Sequence, residues 1–388
     1  NFNRDASILS TFLQTRFKYN KIDFFFAGSF TATDYQREGL YQTETYADNS
    51  LGKGPKISFQ GIGAKTGFTY KFSGKHNLNV NAGYLTKAPS IRNTYTNSRE
   101  NHAVVGDITG RNITEEKISS FDASYIFRSS AVKTRLTAYY ANVKDANEIS
   151  FYFADGISGV DEGTAFVQEI LQGIDKSHLG IEFGMEAQVT PTIKLTGVAS
   201  IGQFTYDNNP NLVLTSSDFI EGLNFGESNL KDYRIAAGPQ QAASIGFEYR
   251  DPNYWWFGTT ANFFADTYVD VSPLTRTENF YLDIDGLPFN NYEPDLAREL
   301  LRQERFDDYM VVNAIGGKSW KIGKRYVSLF VSLNNILDQK FKSGGFEQGR
   351  SANYQSLTDD AQNPKRVFGP KYWYGRGPTY FLNLNYRF

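Results

Sequence analysis

Residues 378–388, with the sequence PTYFLNLNYRF, alternate between apolar and polar side chains. A two-residue period places successive side chains on opposite faces of a β-strand. The edge strand of a soluble sheet can show this pattern too, but aromatic residues at both ends of the apolar face favour a strand that faces lipid. We therefore predict a membrane-spanning strand, whose lipid-facing residues are Tyr380, Leu382, Leu384, Tyr386 and Phe388.

The composition is compatible with a membrane protein that crosses with strands rather than helices. The chain has 388 residues, of which 40% are apolar and 16% aromatic, and it contains no cysteine. No run approaches the roughly 18 apolar residues of a transmembrane helix, and the mean hydropathy is -0.46. A β-barrel has such a polar average because only every second residue meets lipid. The absence of cysteine excludes disulfides and thiolate metal sites.

Charge and histidine content argue against nucleic-acid binding and against metal or catalytic chemistry. The formal net charge is -2, from 40 basic and 42 acidic residues that are dispersed without a basic stripe, so we predict no nucleic-acid partner. The three histidines, His76, His102 and His178, lack the spacing of metal ligands. We predict no catalytic residue, no cofactor and no metal site, and therefore no enzyme.

The alternation of the last strand recurs along the chain. Residues 77–84 read NLNVNAGY, so one face of this segment is rich in asparagine and the other is apolar. Residues 132–140 repeat the pattern, with Lys133 and Arg135 on the polar face. An asparagine-lined face cannot form a soluble core, so the pattern predicts a barrel with a polar interior and an apolar exterior.

The connections between these segments are of two kinds. Short turns rich in Gly, Pro, Asn, Asp and Ser alternate with long polar connections. Outer-membrane barrels have short periplasmic turns and long extracellular loops, and we assign the two kinds accordingly. The short turns lie at 19–21, 73–75, 128–130, 190–192, 250–253 and 321–324, and the long connections at about 37–56, 88–113, 153–162, 207–233, 269–305 and 343–374.

These connections separate about thirteen predicted strands. A complete bacterial single-chain barrel has an even number of strands, because its chain starts and ends in the periplasm. The odd count predicts that the first strand begins outside the cell and that further strands lie upstream of residue 1. The predicted strands span about 6–19, 22–36, 57–72, 76–87, 114–128, 131–152, 163–189, 192–206, 234–249, 253–268, 306–320, 325–342 and 376–388.

Three stretches carry the motifs of one protein family. They are GYLTKAPSIR at 83–92, VSLNNILDQKF at 331–341 and GRGP at 375–378. In this order they resemble the strand-end, penultimate-strand and closing-strand motifs of TonB-dependent outer-membrane receptors, especially the Bacteroidetes type, although Lys87 replaces the usual Arg. The motif positions are Lys87, Ala88, Pro89, Asn334, Asn335, Asp338, Gly375 and Arg376.

This resemblance implies a fold and a function. In the family a 22-stranded barrel surrounds a plug domain, and residues 1–388 would be the C-terminal part of the all-β, antiparallel transmembrane barrel. The remaining strands and the plug would lie upstream. The implied function is active uptake of a nutrient across the bacterial outer membrane, energised by a TonB-type protein that acts on the plug. The closing strand would be the insertion signal, and the implied partners are outer-membrane lipid and, as a candidate, a surface lipoprotein.

The long loops supply the candidates for substrate contact. Aromatic and basic side chains are suited to ligand recognition, and our candidates are Arg92, Tyr95, Tyr354 and Trp373. Two alternative functions stay open. The chain could be a self-contained passive channel of about fourteen strands, or a barrel that serves as a scaffold in a larger outer-membrane complex.

Overall fold

The protein forms one large antiparallel sheet with long connections at one end. The structure is a computed structural model that describes residues 1–219 and 221–388, without the side chain of Glu162. The main path of the sheet contains thirteen strands, each paired with its neighbours in chain order, which confirms the predicted count and order. In chain order the strands are β1 Phe2–Tyr19, β2 Ile22–Gly39, β3 Gly52–Lys53, β4 Ile57–Lys71, β5 His76–Lys87, β6 Glu116–Arg128, β7 Val132–Asp155, β8 Thr164–Gln188, β9 Ile193–Tyr206, β10 Asn211–Thr215, β11 Leu223–Glu227, β12 Gln241–Arg250, β13 Trp255–Ala265, β14 Tyr309–Ile322, β15 Arg325–Asn334, β16 Lys342–Phe346, β17 Lys371–Tyr374 and β18 Thr379–Arg387.

Five of these strands are short and lie off the main path. Strand β3 pairs with β2, β10 pairs with β8 and β11, and β16 pairs with β17. They lie within connections that the sequence predicted as loops, because two to five residues are too few to show a period. The described residues include no helix long and apolar enough to cross a membrane. The helices are α1 Val105–Thr109, α2 Pro294–Leu300 and α3 Tyr354–Gln362, with 3-10 turns at Ile91–Asn93, Asp161–Gly163, Leu274–Arg276 and Glu278–Tyr281.

Strands β15 and β12 are shortened most relative to the strands that the sequence predicted. Strand β15 ends at Asn334, eight residues before the predicted end, because Asn335 has a φ of 50° and leaves the extended conformation. Strand β12 begins at Gln241 rather than near 234, since Gly238 has a φ of 135°. At these two positions the strand stops although the hydrophobic pattern continues.

The strand register places polar side chains on one face of the sheet and apolar side chains on the other. On the polar face Asn81 donates a hydrogen bond to Asp122 (2.9 Å), and Arg135 donates one to Ser124 (3.0 Å). The predicted segregation is therefore confirmed. One row of directly paired residues on the apolar face consists of Phe24, Phe68, Val80, Ala123, Ala138, Ile181 and Ile201.

The hydrophobic core lies at the long-connection end of the sheet. The largest buried cluster includes Ile157, Val167, Leu171, Leu212 and Leu274. These residues come from the outer halves of β7 and β8 and from the long connections. The polar face of the wall, by contrast, carries no such cluster among the described residues. This distribution is expected when lipid covers one face of a sheet and water fills the space behind the other.

The two outermost strands of the sheet each have a partner on one side only. Within the described residues β1 pairs with β2, and β18 pairs with β15, but β1 and β18 do not pair with each other. Free strand edges expose backbone N–H and C=O groups, which lipid cannot satisfy. The wall is therefore an open sheet with two free edges in the part of the chain that the structure describes.

Candidate functional site

The motif around Asn335 joins the end of β15 to the start of the closing strand β18. The buried Asn335 side chain donates to the carbonyls of Gln339 (2.9 Å) and Arg376 (3.0 Å), and accepts from the Gln339 amide (2.9 Å). Asp338 also has a positive φ, of 49°, and its amide donates to the Asn335 carbonyl. The Asn335 side chain thus forms hydrogen bonds with backbone groups that are no longer paired between strands.

Close packing explains why the closing motif has a glycine at position 375. A Cβ atom on Gly375 would lie 2.1 Å from Cζ of Phe341, and the Phe341 ring stacks on Tyr309 at 3.9 Å between ring centroids. The first motif is also tied to the wall, since Lys87 pairs with Glu116 at 2.9 Å and the Pro89 carbonyl accepts a hydrogen bond from the Tyr35 hydroxyl. The motif residues therefore have structural roles.

Replacing Asn335 should destabilise the protein far more than replacing its neighbour. We expect Asn335→Ala to cost about 2–3 kcal/mol, because three hydrogen bonds are lost at a buried position. Asn334→Ala removes one long, exposed contact to Thr379 (3.3 Å) and should have little effect. The measurement is the thermal midpoint at which the folded, compact form disappears on gels. Equal midpoints for the two variants would contradict the assigned role.

The outer ends of β7 and β8 and two of the long connections form a unit that we call the cap, made of residues 144–175, 266–308 and 335–378. Its three segments are joined by backbone hydrogen bonds. The Asp155 amide donates to the Arg350 carbonyl (2.7 Å), and the Asp270 amide donates to the Gly345 carbonyl (2.9 Å). The cap is thus held together by the same kind of bond that holds the wall.

Arg276 is the most connected side chain of the cap. Its guanidinium is buried, pairs with Glu347, and donates to the Leu301 carbonyl (2.8 Å) and to the Thr275 hydroxyl (2.7 Å). It also lies 5.1 Å from the centre of the Tyr233 ring, which belongs to the connection before β12. One arginine therefore links three separate connections.

A second ion pair, nearer the sheet, joins the segments 266–308 and 335–378. Lys342 pairs with Glu304 at 2.6 Å, and its ammonium lies 3.6 Å from the centre of the Tyr372 ring. The Tyr372 hydroxyl donates to Glu304 (2.6 Å). Burial and the adjacent Glu304 carboxylate raise the pKa of Tyr372, so the phenol stays protonated and remains a donor.

The cap encloses a cavity between its two helices. The cavity has a volume of about 410 Å³, which is in the range that holds a small-molecule ligand. Leu296 and Leu300 of α2 face Leu357 and Ala361 of α3 across it. Acidic and basic residues also line the cavity, and they are Glu299, Arg302, Glu304, Glu347 and Arg366.

The four predicted substrate contacts do not meet in one place. Tyr95 and Tyr354 are buried, Tyr95 in a cluster with Tyr35 and Phe59 and Tyr354 edge-on against Phe280. Arg92 and Trp373 are exposed. None of the four lines the cavity. Their contact with a substrate stays a prediction.

The sequence analysis did not single out Arg276, Glu347 or the cavity. Nothing local marks Arg276, which follows a proline-containing loop without a period. The described residues contain no group of three or more His, Asp or Glu side chains that could hold a metal ion.

Comparison with known families identifies the fold. The profile of the family described as TonB dependent receptor-like, beta-barrel, matches residues 1–336. The chain belongs to this TonB-dependent receptor family. It therefore crosses the bacterial outer membrane with its strands, and it belongs to a family of receptors rather than of enzymes, as predicted.

Solved TonB-dependent receptors have the same architecture at low sequence identity. The siderophore receptor PiuA from Acinetobacter baumannii matches with a TM-score of 0.62 and 10% identity, over 100% of this chain and 44% of that one. The ferric citrate transporter FecA matches with a TM-score of 0.60 and 11% identity, over 99% and 46%. The copper transporter OprC matches with a TM-score of 0.58 and 12% identity, over 98% and 47%. No curated protein matches the sequence.

Proposed function

We propose that this chain is the C-terminal barrel wall and outer cap of a transporter that takes up a nutrient actively across the outer membrane. The cavity of about 410 Å³ in the cap carries the proposal, because it lies at the long-connection end of a family barrel, where an external ligand arrives. Its apolar walls and charges of both signs fit an organic nutrient or a chelated ion better than a bare ion.

The proposed energy source is a TonB-type protein acting on a plug upstream of this chain. The chain spans about half the length of the solved receptors it matches, between 44% and 47% of each. The free edges of β1 and β18 support the proposal that additional barrel strands lie between them. The number of additional strands would be nine if the barrel has the 22 strands of outer-membrane transporters. A surface lipoprotein is a further proposed partner, and the closing strand, with Phe388 at its end, is the proposed insertion signal.

The test uses the full-length receptor in cells that lack their own copy. We expect growth on a limiting nutrient to require both the receptor and the TonB-type protein, with ferric siderophores, ferric citrate and copper as the first probes. Ala361→Trp should reduce uptake at least tenfold because the indole fills the cavity, whereas Ala47→Trp, on an exposed loop, should not. Uptake that persists without the TonB-type protein would instead support the passive channel, and uptake unaffected by Ala361→Trp would exclude this cavity.

A further inference from the structure

One acidic side chain of the cap, Glu169, is buried without a cationic partner. Other acids of the cap are paired with a base, among them Asp155 with Arg350 (2.6 Å), Glu304 with Lys342 (2.6 Å) and Glu347 with Arg276. Glu169 of β8 is 3% exposed, yet among the described residues no lysine or arginine nitrogen lies within 4.0 Å of its carboxylate. Burial of an unpaired carboxylate is costly unless the group is protonated.

The surroundings of Glu169 are apolar and acidic. On its own strand the side chain lies between Val167 and Leu171, which belong to the largest buried cluster. The Tyr152 hydroxyl of β7 donates to its carboxylate at 2.6 Å, and Leu274 of the connection 266–308 belongs to the same buried cluster as Val167 and Leu171. The other titratable or charged groups around it are Glu148 of β7, Asp270 of the connection, Tyr206 of β9, Lys176 bound to Glu148 at 2.6 Å, and the Glu347–Arg276 pair.

We propose that Glu169 makes the cap proton-sensitive: with the carboxyl group protonated, residues 266–308 pack closed against β7 and β8, and ionisation favours their release. This inference rests on the proposed function, since it concerns the same ligand cavity. Val269, Thr275 and Glu347 line that cavity, and they flank or contact the segment that packs on Glu169. Release of residues 266–308 therefore dismantles the ligand site.

The direction in which pH changes cap closure follows from the pKa shift of Glu169. Burial, followed by the charges of Asp270 and Glu148, raises the pKa of Glu169 from 4.5 to about 7. An acid whose pKa is raised in the closed state stabilises that state fully below its ordinary pKa and loses this contribution as pH rises to the raised value. Between pH 5.5 and 8 the closed-to-open ratio should fall roughly thirtyfold through Glu169.

The experiment measures cap geometry directly, without ligand or TonB. Because the chain has no cysteine, nitroxide labels at Ser150→Cys and Asp285→Cys of the full-length receptor report the distance between β7 and the connection 266–308. We expect one narrow distance distribution at pH 5.5 and a broader, longer one at pH 8. Glu169→Gln should stay narrow at both pH values. Glu182→Gln, which alters an exposed acid of the wall, should respond to pH as the parent does.

Two results would overturn the proposal. One is a parent distribution that is the same at both pH values, and the other is a Glu169→Gln distribution that still broadens. Asp270→Asn serves as a second variant in case Glu169→Gln folds poorly, and should move the midpoint to lower pH because a neighbouring negative charge is gone. An uptake assay that fails while the distances respond to pH would count against the proposed transport function alone.

Discussion

Arg276→Met is expected to release the cap. The substitution keeps an unbranched apolar stem but removes the guanidinium, which leaves the Glu347 carboxylate without its base and removes donors from the Leu301 carbonyl and the Thr275 hydroxyl. Breaking one partner of a buried ion pair costs about 3–5 kcal/mol. Cleavage of residues 266–308 by added protease, on intact cells carrying the full-length receptor, should rise by about a hundredfold or more.

The matched control for this prediction is Arg298→Met on α2. Arg298 pairs with Asp295 on the solvent side of the same connection, where an ion pair contributes little. Its protease sensitivity should equal that of the parent. If Arg276→Met and Arg298→Met are cleaved at the same rate, Arg276 does not hold the cap together.

The second large effect is expected on the lipid-facing wall. Ile245, near the middle of β12, is 74% exposed on the apolar face, so Ile245→Arg places a charge at the centre of the bilayer. Such a substitution in an outer-membrane barrel costs about 2–4 kcal/mol. The amount of compact, heat-modifiable receptor in the outer-membrane fraction should fall severalfold.

Ser244→Arg provides the comparison one residue away. Ser244 lies on the polar face, where it bonds only the Asn262 side chain (2.8 Å), and an arginine there reaches water. We expect near-normal assembly. Equal losses for the two variants would mean that the two faces do not differ in environment, and the assignment of lipid and lumen would be wrong.

The sequence predicted the wall well because the relevant signal is local. In a strand the side chain of residue i already determines the face of residues i+2 and i+4, so segments such as 77–84 reveal their two faces without knowledge of any partner. Turn residues likewise mark where the chain reverses its direction. The same reasoning failed at Asn335 and Gly238, where a positive φ ends the strand although the apolar pattern continues.

The candidate site was much less accessible to sequence reasoning. One usable signal was present, since Glu169 falls between Val167 and Leu171 on an otherwise apolar face, and an acid in that position calls for an explanation. Tyr95 and Tyr354 show how little a local pattern says about a loop, because the structure buries both aromatic side chains in loop cores, and their contact with a substrate stays a prediction.

The sequence by itself determined the strands of this protein, their order, the face each side chain takes and the end at which the long connections lie. Only the tertiary structure decided that these connections form a single cap with a cavity. Arg276 and Glu347 are 71 positions apart, and contacts over such separations depend on how folded segments meet. No repeating pattern within either segment predicts this contact, so it cannot be inferred from the sequence alone.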